Sequence, residues 1–183
     1  GIFDDYNGKC NYQITTGVVG NFDTEGWGVI KYTNLTSTGE PGQDVLWVDT
    51  DFPLFRLGDV YLMYAEAVAR GGEGGDISTA VGYVNELRDR AYGETPHNKI
   101  DAAWLTANNY QNILDERGRE LYWEGVRRID LIRFGKYTSS SYTWPAKGGV
   151  ITGVGVNERY NIFPIPISDI SVNGSLEQNE GYK

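Results

Sequence analysis

The sequence predicts a mainly α-helical protein built from antiparallel helical hairpins, with loop-rich flanks and short β-strands. Three observations predict it. Apolar residues recur at helical spacing from Arg56 to Phe134, glycine and proline punctuate those stripes, and the segments on either side are rich in Gly, Thr, Ser and Asn. Residues 1–50, 56–134 and 136–183 are therefore read as three zones of one domain. A chain of 183 residues is long enough to bury a core without disulfide or metal staples.

In the first zone, Trp27 to Tyr32 and Val45 to Val48 alternate as short strands do, and Asn34 to Gln43 between them reads as a loop. The helical zone opens with Leu57, Val60, Tyr61, Tyr64, Ala65 and Val68 on one stripe, predicting a helix over Arg56 to Ala69. Leu62 and Met63 lie off that stripe, so this helix is expected to need neighbours on more than one side. Gly71 and Gly72 supply its stop.

Asp76 is a suitable N-cap for a second helix to Ala91, with Ile77, Ala80, Val81, Val84, Leu87 and Ala91 on one face; Gly93 and Pro96 end it. Thr106 is expected to cap a third helix that runs from Tyr110 to Trp123. A short fourth follows from Val126 to Phe134, closed by Gly135. Two helix pairs in sequence make stacked αα-hairpins. Leu57, Gly58 and Tyr61 also match the L-G-x-x-Y core of a tetratricopeptide repeat, where glycine lets two helices approach and tyrosine fills the gap. In the last zone, Pro164 and Pro166 flank Ile165 and force an extended segment, and the Gly/Val stretch to Val156 suits a strand or hairpin.

Composition narrows the function. With 25 acidic against 16 basic side chains and a formal charge of −9, the chain lacks the basic surface that nucleic acid would require. One cysteine, Cys10, and one histidine, His97, give neither a disulfide nor a metal cage, and no cofactor is expected. Aromatic residues are the surplus, with 13 Tyr, 6 Phe and 5 Trp, which suits binding by surface contact.

Candidate chemistry is sparse. Glu116, Glu120 and Glu124 recur every four residues on one helical face, a pattern that a glycosidase would complete with a facing carboxylate such as Asp49 or Asp51. Arg117, Arg119, Arg127, Arg128 and Arg133 stand beside them, so an ion-pair network between helices is the expectation. Asp5 to Gly8 resembles the middle of a calcium loop, but Phe3 and Ile14 fall where that loop needs carboxylates. The Gly71 to Gly75 cluster follows a helix, whereas a phosphate-cradling loop follows a strand. Cys10 and His97 have nothing in the sequence to bring them together. Of the tryptophans, Trp27, Trp47 and Trp123 are expected to pack. Trp144, in a Ser/Tyr/Thr loop with Tyr137 and Tyr142, is the expected ligand platform, since sugars stack on flat aromatic faces amid hydrogen-bonding groups.

Five blocks also carry a resemblance. F-P-L-F-R-L-G-D-V-Y-L-M-Y-A-E-A at Phe52 to Ala67, V-N-E-L-R-D-R-A at Val84 to Ala91 and E-R-G-R-E-L-Y-W-E-G-V-R-R-I-D-L-I-R at Glu116 to Arg133 come first. I-F-P-I-P at Ile162 to Pro166 and L-E-Q-N-E-G-Y at Leu176 to Tyr182 follow. In this order they resemble the SusD/RagB family of nutrient-binding lipoproteins on the outer membrane of Bacteroidetes. The resemblance implies a tetratricopeptide-like helical scaffold, an oligosaccharide or peptide ligand, no catalysis, and a TonB-dependent transporter as partner. It further implies a C-terminal portion of a longer, lipid-anchored protein, so that the N-terminal portion is itself an expected partner. Gly118 departs from the family's pattern, which has a second Arg there.

Overall fold

The computed structural model describes residues 2–3, 28–29, 31–32, 34–36, 38–44, 47–145 and 150–183. The chain forms two compact units, one of Gly1–Leu54 with Pro145–Gly153, the other of Phe55–Trp144 with Val154–Lys183. In the first unit, β1 (Ile2–Phe3) pairs antiparallel with β2 (Gly28–Val29), Ile2 opposite Val29 and Phe3 opposite Gly28. Strand β2 falls within the expected Trp27 to Tyr32 strand. Of the second expected strand, Val45 and Leu46 lie outside the described residues, and Trp47 and Val48 join no ladder. Trp47, expected to pack, is 75% exposed. Asn34 organises the surrounding loop: its amide nitrogen donates to the Asp44 carbonyl and its Oδ1 accepts from the Asp49 N–H.

The second unit is helical, in the order α1 (Leu57–Ala69), α2 (Ile77–Tyr92), α3 (Ala102–Thr106), α4 (Gln111–Glu120), α5 (Arg127–Arg133) and α6 (Ile167–Val172). Helices α1 and α2 pack as one pair, and α4 packs on α1, α3 and α5. Leu62 and Ala65 of α1, Ala80, Val84 and Leu87 of α2, Ile100, Leu105 of α3 and Ile113 of α4 form one buried cluster. Burying each of the larger aliphatic side chains contributes roughly 2 kcal/mol, and this cluster holds the unit together. Asp76 caps α2 as expected, its carboxylate accepting from the Thr79 N–H and from the Ser78 and Thr79 hydroxyls. Those three bonds lower the Asp76 pKa to about 2.

Several expectations are corrected. The buried side of α1 is Gly58, Leu62, Ala65 and Glu66, rotated from the predicted stripe, so Leu62 is core while Leu57, Val60 and Met63 face solvent. The rotation follows Glu66, which ion pairs draw into the interior. Asp101, not Thr106, caps the next helix by accepting from the Trp104 N–H, and that helix stops at Thr106. Asn108, Asn109 and Tyr110 then adopt left-handed backbone, and α4 starts only at Gln111. Helix α4 also ends at Glu120, short of the predicted Trp123, because the chain reverses through Trp123 and Gly125, both at positive φ. Beyond Pro166 the sequence reading missed α6, which starts at the residue after the proline.

Two side-chain clamps fix irregular segments. Asn85 donates to the Ile100 carbonyl and accepts from its N–H, and Gln178 does the same to Ile165. Asn179 donates to the Phe163 carbonyl and the Tyr182 hydroxyl to that of Ile162, so the tail blocks of the sequence hold one another. No helix among the described residues is long and apolar enough to cross a membrane.

Candidate functional site

Glu116 and Glu120 of α4 are bound by arginines, and so is Glu124, which lies in the turn beyond the helix and not on the expected common helical face. Glu116 Oε2 accepts from Arg88 at 3.0 Å and Arg119 at 2.6 Å. Glu120 accepts from Arg56 and Arg90, each at 2.5 Å, and Glu124 is gripped at both oxygens by Arg56. Arg117, nearly fully buried, joins Asp59 to Asp130 with two bonds of 2.8 Å. Glu66 accepts from Arg70 and from both Nη atoms of Arg133. The expected network is therefore present, and it knits α1, α2, α4 and α5 together. Burial pushes the Glu66 carboxyl up, but the Arg133 hydrogen bond and the charges of Arg133 and Arg70 outweigh it and hold the pKa below the ordinary glutamate range. The Glu124 bond raises Arg56, against the effect of burial, and the Glu66 bond does the same for Arg133. Asp49 and Asp51, proposed as facing carboxylates, belong to the other unit.

The three aromatic residues predicted as a platform meet. Trp144 stands edge-on to Tyr142, with ring centres 5.4 Å apart, and to Tyr137 at 6.2 Å. Their loop does not project freely. The Tyr137 N–H bonds to the Leu131 carbonyl, and Trp144 forms an antiparallel bridge with Val154. Trp144 is half-buried, and its indole Nε1–H is buried with no acceptor among the described residues.

Tyr142 and Trp144 form one wall of a cavity of about 640 Å³. The end of α4, the turn Leu121 to Val126 and the first turn of α5 form the rest. Gly118 lies in that wall: a Cβ there would stand 2.9 Å from Arg127 Nη1, so glycine leaves room for this guanidinium to reach the Leu114 carbonyl. The sequence reading missed the cavity's most exposed aromatic. Trp123, expected in the core, is 63% exposed with φ 65°, beside the half-exposed Tyr122. Gly125 two residues later is the one sequence sign of a turn there. A second cavity, of about 550 Å³, lies between α1 and α5 over Met63, Glu66, Ile129 and Arg133.

Other candidates dissolve. His97 sits between the Asp89 carboxylate and the Thr95 carbonyl and stacks on Tyr92. Cys10 and the Asp5 to Gly8 segment lie outside the described residues. Among the described residues, no cluster of three or more His, Cys, Asp or Glu is arranged to hold a metal ion.

Comparison with known proteins places these features. The sequence matches the SusD family over residues 4–182. It is 43% identical over 171 residues to the starch-binding protein SusD of Bacteroides thetaiotaomicron, covering 93% of this chain and 28% of that protein. Against the SusD-like protein P25 of Formosa agariphila it is 30% identical over 135 residues, 71% of this chain and 24% of the relative. A crystal structure of a SusD superfamily protein from Parabacteroides distasonis superposes with a TM-score of 0.55 at 27% identity, covering 77% of this chain and 29% of that one. The chain thus spans less than a third of the length of each of these relatives. Its helical architecture, its matched residues and its relatives agree: this chain belongs to the SusD family.

Proposed function

We propose that the chain is part of an outer-membrane, cell-surface protein that binds oligosaccharide and passes it to a TonB-dependent transporter, without chemical turnover. The observation that carries this reading is the wall of Trp123, Tyr142 and Trp144 around one cavity, in a chain so similar to a protein named for starch binding. Indole and phenol faces stack on the apolar faces of sugar rings, and the Tyr142 hydroxyl supplies a hydrogen bond at their edge. The absence of turnover is supported by the arginines on Glu116, Glu120 and Glu124, because a carboxylate held by guanidinium is poorly suited to act as a general acid.

Tryptophan fluorescence and calorimetry with a panel of neutral and acidic oligosaccharides test the proposal. Saturable binding that weakens at least about tenfold in Trp123→Ala supports it. Binding that never appears, or turnover of a chromogenic glycoside abolished by Glu120→Gln, overturns it. A second reading, a helical scaffold for polypeptide, is favoured by the exposed row Leu57, Val60 and Met63 on α1. That row suits contact with the transporter or with the N-terminal portion of a longer family member, and a peptide panel in the same assay separates the two readings.

A further inference from the structure

Between residues 56 and 133, every arginine but two carries a carboxylate partner. Arg56, Arg70, Arg88, Arg90, Arg117, Arg119 and Arg133 are all ion-paired. Arg127 and Arg128, adjacent on the first turn of α5, have none among the described residues, and both line the aromatic cavity. Arg127 donates Nη1 to the Leu114 carbonyl at 2.8 Å and Nη2 to the Tyr142 hydroxyl at 3.3 Å. Arg128 uses only Nη2, toward the carbonyls of Tyr160 and Asn161, while its guanidinium lies over the rings of Phe163 and Tyr137. In a protein with 25 acidic and 16 basic side chains, two neighbouring cations without a counter-charge are not explained by composition.

The hydrogen-bond inventory of the wall points the same way. Among the described residues, Arg128 keeps Nε and Nη1 unbonded, out of five N–H donors on a guanidinium. Tyr142 accepts from Arg127, which leaves its own proton to give. Asp115 is the carboxylate of the lining, and it accepts from Gln111 rather than from either arginine. The wall therefore holds donors in excess of acceptors, and an occupant must bring acceptors and negative charge.

We infer that this cavity takes a carboxylate-bearing sugar, a uronate unit within an oligosaccharide. Its carboxylate meets the guanidiniums of Arg127 and Arg128. Its apolar ring face meets Trp123, and its ring and hydroxyl oxygens accept from Tyr142. A neutral glucan would leave both guanidinium charges uncompensated. The inference rests on the reading of this cavity as an oligosaccharide site, and goes beyond it by naming the sugar class.

Calorimetry on the full chain compares tetragalacturonate, its fully methyl-esterified form and maltoheptaose. The acid is expected to bind at least about tenfold more tightly than the ester, with an advantage that shrinks as salt is raised. Arg127→Gln is expected to remove most of that advantage, the acid losing more affinity than the ester. Arg128→Gln removes the neighbouring guanidinium and is expected to weaken the acid several-fold more than the ester; it serves if Arg127→Gln fails to fold. Equal binding of acid and ester, binding of maltoheptaose alone, or an acid preference untouched by both variants overturns the inference and leaves the oligosaccharide reading standing. No binding of any of the three overturns both.

Discussion

Arg56 and Glu124 meet in a two-pronged ion pair, Nε to Oε2 at 2.6 Å and Nη2 to Oε1 at 2.7 Å, across 68 positions of sequence. The same guanidinium donates to the Glu120 carboxylate and to the Glu120 backbone carbonyl. One side chain just before α1 thus satisfies both the end of α4 and the turn that follows. Removing it takes one counter-charge from each of two mostly buried carboxylates, of which Glu120 keeps Arg90. Arg56→Met is expected to destabilise the helical unit by about 3 kcal/mol in urea unfolding. A loss below about 1 kcal/mol, the range of exposed pairs, would show that solvent screens this network.

Gly58 makes that crossing possible. A Cβ at this position would lie 2.4 Å from Arg56 Nη1 and 2.7 Å from Glu120 Oε1. Both atoms are pinned by further bonds, so neither can swing aside without breaking one. Helix propensity alone would make Gly58→Ala stabilising by about 1 kcal/mol. The steric argument predicts the opposite sign, a loss of about 2 kcal/mol. Thermal unfolding of the single variant decides between them. In the double variant Gly58→Ala, Arg56→Met the steric penalty is expected to fall.

Much of this was legible in the sequence, for local reasons. The Asp76 cap, the α2 stripe and the α5 segment depend on residues three or four apart, and all appear where the spacing puts them. The ion-pair face of α4 was legible because glutamates and arginines share one short segment. The burial of Glu66 was not, because it depends on Arg133, 67 positions away, and it turned α1 so that Leu57 and Val60 face outward. The meeting of Tyr137, Tyr142 and Trp144 was legible from their closeness in sequence. The cavity that Tyr142 and Trp144 border, and Tyr137 does not, was not legible, since its other walls come from the end of α4 and a turn whose left-handed residue is a tryptophan.

Glu66 gives a pH test. Its carboxyl is held below the ordinary glutamate pKa in the folded protein by Arg133 and Arg70 despite burial. A depressed folded-state pKa means the stabilisation is fully present above the unfolded-state value and is lost as pH falls through the folded one. Glu66→Gln is therefore expected to be less stable than the parent by about 3 kcal/mol at neutral pH. The gap between the two should close in acid, below the ordinary glutamate range. Urea midpoints for both proteins across that range check the sign; a gap constant with pH would remove the ionised carboxylate from the account.

Gln178 holds the proline-flanked segment by accepting from the Ile165 N–H at 2.8 Å and donating to its carbonyl at 2.9 Å. The same Oε1 also accepts from the Asn179 N–H. An amide side chain here does what a neighbouring strand would do elsewhere. Gln178→Ala is expected to cost about 2 kcal/mol locally, visible as faster amide exchange at Ile165 and earlier proteolysis of the tail. Exchange at the buried core positions of α2 should be unchanged, because none of them touches the clamp.

Trp123 combines two costs that packing does not offset: a bulky residue held at φ 65°, and an indole left 63% exposed. A side chain other than glycine in that conformation costs about 1 kcal/mol, and burying more of the ring elsewhere would have been favourable. Strain retained at the mouth of a cavity is the pattern expected where binding, not stability, sets the residue. Trp123→Gly is accordingly expected to raise thermal stability by about 1 kcal/mol while lowering oligosaccharide affinity at least about tenfold. Trp144→Ala should behave differently. Its ring packs against Tyr137 and Tyr142, so stability is expected to fall by about 2 kcal/mol together with affinity. Measuring melting and binding on both variants separates the two roles. If Trp123→Gly loses stability and keeps its affinity, the indole is a packing element and the binding wall is Trp144 and Tyr142 alone.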